Sequence, residues 1–316
     1  MNIQSLAVEI PTEKFQHPDV TVGGDTRAAV DPRKLETLWI NTGSLCNLAC
    51  ENCYIESTPT NDRLAYVSTA EVRELLDEIE RESFGTGEIG FTGGEPFLNK
   101  DMIPILALCL ERGFKVLVLT NAMNTMYRER DKLQALHDRF APNLHIRVSL
   151  DHYTEEIHAK ERGKRSWKPA IRGLKWLSTS GIPFAVAGRT MWDEDEASMR
   201  QGYADLFSRE SIALDASNGH ELVLFPEMDE GADVPEITTA CWGILDKDPA
   251  DIMCASSRMV VKHKGDDHLS VQACTLLAYD QRFNMGPTLR EAWQPVKLNH
   301  PHCAKFCVLG GGSCSA

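Results

Sequence analysis

The sequence lacks any apolar run long enough to cross a membrane, and its basic residues are outnumbered by acidic ones. A bilayer-spanning helix needs about 20 consecutive apolar residues, and no stretch of the 316-residue chain approaches that length. Lysine plus arginine total 33 against 46 for aspartate plus glutamate, so the net charge is −13. An acidic surface argues against a phosphate-backbone partner. No basic stripe with interleaved aromatic residues restores a nucleic-acid interpretation.

The N-terminus also lacks the features of a secretory signal. It carries Glu9 and Glu13 and has no basic start followed by a long apolar block. We therefore expect a protein that stays in the cytoplasm, with no membrane partner. One local basic run, AKERGKR at 159–165, fits either a solvated loop or a functional segment.

Cysteine is present in an uneven distribution that indicates metal binding. Of ten cysteines, three lie within 46–53, six lie after position 240, and Cys109 stands alone. In a reducing compartment such clusters are metal ligands more often than disulfides. Cys109 lies in the same apolar helical pattern as Ile105 and Leu106, so we interpret it as a buried packing residue.

From residue 37 onward, short apolar stretches alternate with amphipathic helical ones. Strands are predicted at 37–43, 88–94, 114–122, 144–151, 182–190 and 220–226, and helices at 68–82, 100–113, 127–140, 166–180 and 196–207. Ser68 and Glu71 form a capping-box pattern at the first helix. Six βα units predict a parallel α/β sheet, either a partial barrel or an open doubly wound sheet.

Polar and cysteine-bearing segments follow the predicted strands. They are CNLACENC, GGEP, TNA, SLD, GRT and FPEM, one after each strand in chain order. Because the carboxyl ends of parallel strands meet at one edge, these segments should form one site.

The first of these segments holds Cys46, Cys50 and Cys53 at the spacing C-x3-C-x2-C, with no fourth cysteine nearby. Three thiolates can hold three corners of a [4Fe–4S] cube and leave one iron open to a small molecule. The alternative is a zinc site completed by a distant residue such as a histidine.

The three-cysteine loop followed by Tyr54, with GGEP at 93–96 one βα unit later, resembles the radical S-adenosylmethionine (SAM) superfamily over about residues 38–228. The resemblance implies that the open iron binds the amino and carboxylate groups of SAM. It also implies reductive cleavage to a 5′-deoxyadenosyl radical that abstracts hydrogen from a substrate. The fold expected is then a partial (βα)6 TIM-like barrel.

The resemblance also assigns cofactor-binding positions. They are Tyr54, Gly93, Gly94, Glu95, Pro96, Asn121, Ser149 and Arg162. The GGEP residues match the motif for the methionine amino group, and the main chain near Tyr54 should meet the adenine. Asn121 and Ser149 fit ribose-binding positions. Arg162 fits a partner of the methionine carboxylate, with a surface arginine as the alternative, and Asp151 is interpreted as structural.

The C-terminal cysteines form a second region. Between Cys254 and Cys274 the sequence predicts a hairpin with a Gly-Asp-Asp turn, which would bring both cysteines together. With the clustered cysteines of the tail, this resembles SPASM and twitch domains, which hold auxiliary [4Fe–4S] clusters. The expected ligands of one auxiliary cluster are Cys254, Cys274, Cys303 and Cys307, with Cys314 as a rival. A second cluster using Cys241 and Cys314, or a structural zinc, remains an alternative.

These features predict an N-terminal extension at 1–36, a radical SAM core at 37–230 and a small cysteine-rich SPASM/twitch-like domain at 231–316. The pocket candidates are Met191, Trp192, Phe225 and Met228, whereas Trp167 and Trp176 are interpreted as packing residues.

The leading functional hypothesis is a radical SAM oxidoreductase whose auxiliary cluster accepts an electron. A flavodoxin or ferredoxin is the expected reductant of the enzyme. The short segment before the first strand favours a small-molecule substrate over a peptide. The alternatives are radical rearrangement or group transfer, ribosomal-peptide maturation, and a non-catalytic zinc or iron–sulfur electron-transfer module.

Overall fold

Six parallel strands with intervening helices form the centre of the molecule. A computed structural model describes residues 10–226, 229 and 231–312. The strands are β1 (Ala29–Val30), β2 (Thr37–Asn41), β3 (Glu88–Thr92), β4 (Lys115–Thr120), β5 (Leu144–Ser149), β6 (Phe184–Arg189), β7 (Leu222–Phe225), β8 (Ser257–Val261), β9 (Ser270–Gln272) and β10 (Val296–Lys297). The order across the main sheet is β7-β6-β5-β4-β3-β2-β8-β9.

The helices lie between these strands. They are α1 (Thr69–Glu82), α2 (Met102–Glu111), α3 (Asn124–Arg128), α4 (Arg130–Phe140), α5 (Glu155–Arg162), α6 (Trp167–Ser180), α7 (Glu196–Glu210) and α8 (Cys241–Leu245). Cys303–Leu309 forms a π-helix. None of the helices in the described residues combines the length and apolar composition that a membrane span requires.

The side chains of the sheet show that it is barrel-like and not doubly wound. Val116 and Val118 of β4 belong to a core cluster that also contains residues of helices such as α1 and α7. Leu117, which lies between them, belongs to a second cluster. That second cluster contains no residue of α1 to α7 among the described residues. A doubly wound sheet needs helices on both faces, so the partial barrel is confirmed.

The barrel interior is filled on one side by Trp39 of β2. This ring is fully buried, and a Cβ added to Gly90 of β3 would lie 2.5 Å from it. A residue larger than glycine at position 90 would therefore displace the indole. The capping box of α1 is also present, since Ser68 N donates to Glu71 Oε2 at 2.8 Å.

Three features differ from the sequence-based prediction. The helix predicted at 127–140 is two helices, α3 and α4, which meet at Glu129. The basic run begins inside α5, where Glu161 is buried. The predicted hairpin forms from β8 and β9, but it also extends the main sheet, because β8 pairs in parallel with β2.

The N-terminal segment packs against the C-terminal region. β1 pairs antiparallel with β10, and the buried Arg27 forms an ion pair with Glu236 at 2.5 Å. Phe15 and Val30 share a core cluster with Ile237 and Leu298. The segment before the barrel thus contacts the region that follows the barrel. The domain boundaries at 36 and 231 stay predictions.

Candidate active site

A cavity of about 150 Å³ opens at the carboxyl ends of the barrel strands. Its lining includes Cys46, Cys50 and Cys53 from the loop after β2, with Gly93 and Gly94 from the loop after β3. Further lining residues come from four later strand ends and from the C-terminal region: Asn121, Ser149, Arg189, Phe225, Leu276 and Phe306. The segments predicted to meet at this edge therefore do so.

The three cysteines lie on an irregular loop that faces the cavity. Burial raises the pKa of the Cys46 thiol to about 12 and that of Cys50 to about 11. Buried thiols of this kind stay protonated unless a cation replaces the proton, and a coordinated thiol is deprotonated. Three adjacent thiols and an open cavity beside them fit a cluster with one iron free for a further ligand.

The two glycines of GGEP are required by the close approach of two loops. A Cβ on Gly94 would lie 2.0 Å from the carbonyl oxygen of Leu45, directly before Cys46. Gly93 has φ +132°, and its Cβ would lie 2.6 Å from the Gly43 oxygen. Gly94 N donates to that same oxygen at 2.8 Å. The glycines thus hold the GGEP turn against the cysteine loop.

Glu95 and Pro96 lie outside the cavity lining. The Glu95 carboxylate accepts hydrogen bonds from Thr120 Oγ1 at 2.8 Å, from Asn121 N at 2.9 Å and from Phe97 N at 3.2 Å. Burial raises the pKa of Glu95 to about 7, against these hydrogen bonds, which lower it. Its carboxylate therefore joins the GGEP turn to the end of β4, and its predicted role toward a bound ammonium group is not tested.

Arg162 lines the cavity and is paired with Asp151. Arg162 Nε donates to Asp151 Oδ2 at 2.5 Å and Nη2 donates to Oδ1 at 2.9 Å. Burial opposes ionisation of Asp151, but the adjacent guanidinium outweighs it and lowers the pKa of this carboxyl. Arg162 is thus not a free surface arginine. Its role toward a ligand carboxylate stays a prediction.

A second ion pair, which the sequence analysis missed, supports the cysteine loop from α5. Glu161 accepts from both the backbone N and the Nδ2 of Asn52, each at 2.9 Å. Arg189 Nη1 donates to Glu161 at 3.1 Å and to the Asn52 carbonyl at 3.2 Å. Asn52 lies between Cys50 and Cys53, so this pair fixes the loop that presents the thiols. The Nε of Arg189 is buried and has no hydrogen-bond partner within the described part of the chain.

The predicted ribose-binding and adenine-binding positions all line the cavity. Asn121 Nδ2 donates to Asn47 Oδ1 at 2.8 Å, so its amide is already joined to the cysteine loop. Ser149 lines the cavity at the end of β5. The Tyr54 hydroxyl lies 3.3 Å from Thr92 Oγ1. Their roles toward a nucleoside stay predictions.

The four pocket candidates fall into different places. Phe225 lines the cavity. Trp192 lies outside the lining, and its Nε1 donates to the Asp151 carbonyl at 3.4 Å. Met191 also lies outside it, and Met228 is outside the described residues. Trp167 is buried in the core.

Four of the C-terminal cysteines line a second cavity. Cys254, Cys274, Cys303 and Cys307 line one small cavity of about 20 Å³, together with His302. Cys241 is not in this lining, and Cys314 lies outside the described residues. Among residues 10–226, 229 and 231–312, no three histidine, cysteine or acidic side chains are placed to hold a single metal ion. Four thiols around one enclosed space fit a four-iron cluster.

The two cavities share a lining residue. Leu276 lines both cavities. Phe306, next to Cys307, lines the barrel cavity and stacks on Phe225 with ring centroids 5.9 Å apart. The C-terminal region thus forms one wall of the barrel cavity.

A partial barrel with three thiols and a glycine turn at its open end defines a class of iron–sulfur enzyme. The model of the Radical SAM superfamily matches residues 40–201, which is just over half of the chain. The chain therefore belongs to the radical SAM superfamily. Membership implies SAM and a [4Fe–4S] cluster as cofactors.

Curated relatives support the family over part of their length. The chain is 33% identical over 153 residues to the subtilosin biosynthesis protein AlbA of Bacillus subtilis, covering 47% of this chain and 32% of AlbA. It is 30% identical over 137 residues to the mycofactocin maturase MftC of Mycolicibacterium smegmatis, covering 43% and 33%. The chain thus spans about a third of the length of these relatives.

Among solved structures, Streptococcus suis SuiB bound to its precursor peptide SuiA has a TM-score of 0.58 at 14% identity, covering 84% of this chain and 65% of SuiB. An anSMEcpe structure with bound AdoMet gives 0.58 at 14% identity, covering 85% and 82%. At such identities the likeness concerns the fold alone.

Proposed function

We propose that this radical SAM enzyme abstracts hydrogen from a peptide substrate and that an auxiliary [4Fe–4S] cluster accepts an electron, so that the net reaction is an oxidation. The observation that carries the proposal is that Leu276 lines both the barrel cavity and the cavity of the C-terminal cysteines. A substrate bound in the barrel cavity would then lie next to an electron acceptor.

The substrate class rests on the relatives. AlbA is a bacteriocin biosynthesis protein, MftC is a maturase, and a SuiB structure contains a precursor peptide. These names favour a peptide substrate over a small molecule. A heme synthase and a GTP 3′,8-cyclase are also among the relatives, which keeps a small molecule as the second candidate.

Each group of residues has a defined task in this proposal. Cys46, Cys50 and Cys53 hold the cluster, and Gly93 and Gly94 keep the adjacent loop close to it. When bound, the cluster and SAM together supply a one-electron reductive cleavage that yields a hydrogen-abstracting carbon radical.

The remaining cavity residues orient and enclose the ligands. Arg162 offers Nη1 to a carboxylate, while Asp151 fixes the guanidinium plane. Phe225, Leu276 and Phe306 supply apolar walls that exclude water from the reacting carbon.

Iron content and product formation test the cluster assignment. Anaerobically reconstituted protein should hold roughly eight irons per chain and form 5′-deoxyadenosine from SAM with dithionite. Changing Cys46, Cys50 and Cys53 to alanine should remove roughly four irons and abolish 5′-deoxyadenosine. Changing Cys254 and Cys274 to alanine should remove the other four and leave some SAM cleavage. Bound zinc without 5′-deoxyadenosine would contradict the proposal.

Product mass and isotope transfer test the reaction. Deuterium in 5′-deoxyadenosine after incubation with a deuterated candidate precursor peptide would establish abstraction from that peptide. Loss of two hydrogens from the product supports oxidation, whereas an unchanged mass indicates rearrangement. Deuterium transfer only from a small molecule would favour the second candidate.

A further inference from the structure

Arg258 on β8 is a buried cation beside the second cysteine site. Its side chain is among the largest fully buried ones, with 1% exposure. Its donors all go to backbone carbonyls: Nε to Ala292 at 3.0 Å, Nη1 to Cys254 at 2.5 Å, and Nη2 to Gln294 at 3.0 Å. The guanidinium also lies over the Trp293 ring, 5.1 Å from its centroid.

No carboxylate balances this charge within the described part of the chain. Arg27, Arg162 and Arg189 are also buried or nearly so, and each forms an ion pair with a glutamate or aspartate. Arg258 forms none with the residues that the structure describes, and carbonyl dipoles satisfy its N–H groups without neutralising it. A buried charge without a counter-charge is strongly unfavourable. The site therefore requires an anionic neighbour.

The groups placed to supply negative charge are the thiols of the hairpin. Arg258 lies four residues after Cys254 and contacts its carbonyl. The antiparallel pairing of Met259 with Gln272, continued by one residue, sets Arg258 opposite Ala273, next to Cys274.

We propose that Arg258 is the counter-charge of the auxiliary cluster and raises its reduction potential, which makes the cluster an electron acceptor. The inference rests on the auxiliary cluster of the proposed function. Each electron added to a cluster held by four thiolates adds one negative charge, and net charge is among the factors that set the potential. A fixed cation beside the cluster stabilises the reduced state more than the oxidised state.

A raised reduction potential would make the auxiliary cluster accept electrons from the substrate. A substrate carbon radical would lose one electron to the oxidised cluster and one proton to a base. Together with the abstracted hydrogen, this loss would complete a two-electron oxidation. Removing the cation makes the cluster a weaker acceptor without removing a ligand. Arg258 is thus a positioning and tuning residue and not a catalytic one.

The test uses the full chain with Cys46, Cys50 and Cys53 changed to alanine, so that only auxiliary iron remains. Arg258→Gln keeps hydrogen-bond donors but removes the charge. Arg258→Lys keeps the charge. Arg290→Gln removes an exposed charge from the segment before β10 and is the matched control. Iron per chain and the midpoint potential from an anaerobic redox titration followed by electron paramagnetic resonance are measured for each protein.

The expected result is a more negative midpoint potential for Arg258→Gln at unchanged iron content. Arg258→Lys should stay near the parent, and Arg290→Gln should not shift. An unshifted potential in Arg258→Gln would overturn the inference. If Arg258→Gln loses its iron, the Arg258→Lys variant decides the question. A midpoint potential near that of the parent supports the role of the charge. A more negative midpoint potential overturns it. A parent that holds no iron would refute the auxiliary cluster itself, and with it both proposals.

Discussion

Arg162 and Asp151 form a two-point ion pair at the edge of the cavity, with nitrogen–oxygen distances of 2.5 Å and 2.9 Å. Asp151 follows β5 and Arg162 ends α5, so the pair joins a strand end to the next helix. Both groups are shielded from water, with side-chain exposures of 3% for Asp151 and 16% for Arg162. Removing either charge would therefore leave the other charge buried without its partner.

Asp151→Asn should lower both stability and SAM binding. Breaking a buried pair leaves an uncompensated charge, which costs roughly 3–5 kcal/mol. The measurements are anaerobic urea unfolding and SAM binding by calorimetry. Glu156→Gln breaks the exposed Lys160–Glu156 pair on the same helix and should change neither quantity measurably. An equal loss in both variants would show that burial does not decide the effect.

Gly94→Ala should displace the cysteine loop. The new Cβ would lie 2.0 Å from the Leu45 carbonyl oxygen, a distance that requires backbone movement. We expect loss of roughly four irons, with the auxiliary iron retained, as measured by iron analysis after reconstitution. Gly87→Ala is the control, because a Cβ there has no neighbour within 4 Å. Wild-type iron content in Gly94→Ala would mean that the two loops can separate without losing the cluster.

The sequence predicted six parallel βα units and the edge where the cavity lies, because the apolar periodicity and the cysteine spacing are local signals. It also predicted that Cys254, Cys274, Cys303 and Cys307 meet, through a hairpin and a tail. These predictions required only short-range patterns and the resemblances to the radical SAM superfamily and to SPASM and twitch domains.

Longer-range contacts were not predictable in this way. Asn52 and Glu161 are 109 positions apart, and nothing in either segment specifies the other. The hairpin pattern indicated β8 and β9 but not the sheet edge that they join. The available signal for Glu161 was an acidic residue directly before Arg162. The surrounding basic residues made that run resemble a solvated loop.

Leu276→Ala should connect the two cavities. Leu276 and Leu277 are both buried, at 4% exposure, and truncating either should cost roughly 2–5 kcal/mol. Of these two, Leu276 lines both sites. In the background without Cys46, Cys50 and Cys53, auxiliary iron should therefore bleach faster in air for Leu276→Ala than for Leu277→Ala. Equal bleaching rates would indicate that Leu276 does not act as the barrier.

The Arg27–Glu236 pair predicts how stability depends on pH. Glu236 accepts hydrogen bonds from Phe15 N and Val22 N, each at 2.7 Å, as well as from Arg27. Burial alone would raise the pKa of Glu236, but these partners outweigh it, and the net pKa is lowered. A lowered pKa in the folded state means that the stabilisation is present above the usual glutamate range and is lost as pH falls through the lowered value.

Glu236→Gln should therefore destabilise the protein most at neutral pH, by roughly 3–5 kcal/mol, because Arg27 is left buried without its counter-charge. The difference from wild type should shrink as the pH falls through the lowered pKa of Glu236, where protonation removes the same charge from the native protein. Denaturant unfolding at a series of pH values measures this difference. Asp233→Asn, which removes the exposed partner of Lys14 in the same region, should give no such pH dependence. A Glu236→Gln difference that stays constant down to acidic pH would show that the hydrogen bonds to Phe15 and Val22, rather than the ionic charge, hold the N-terminal segment to the C-terminal region.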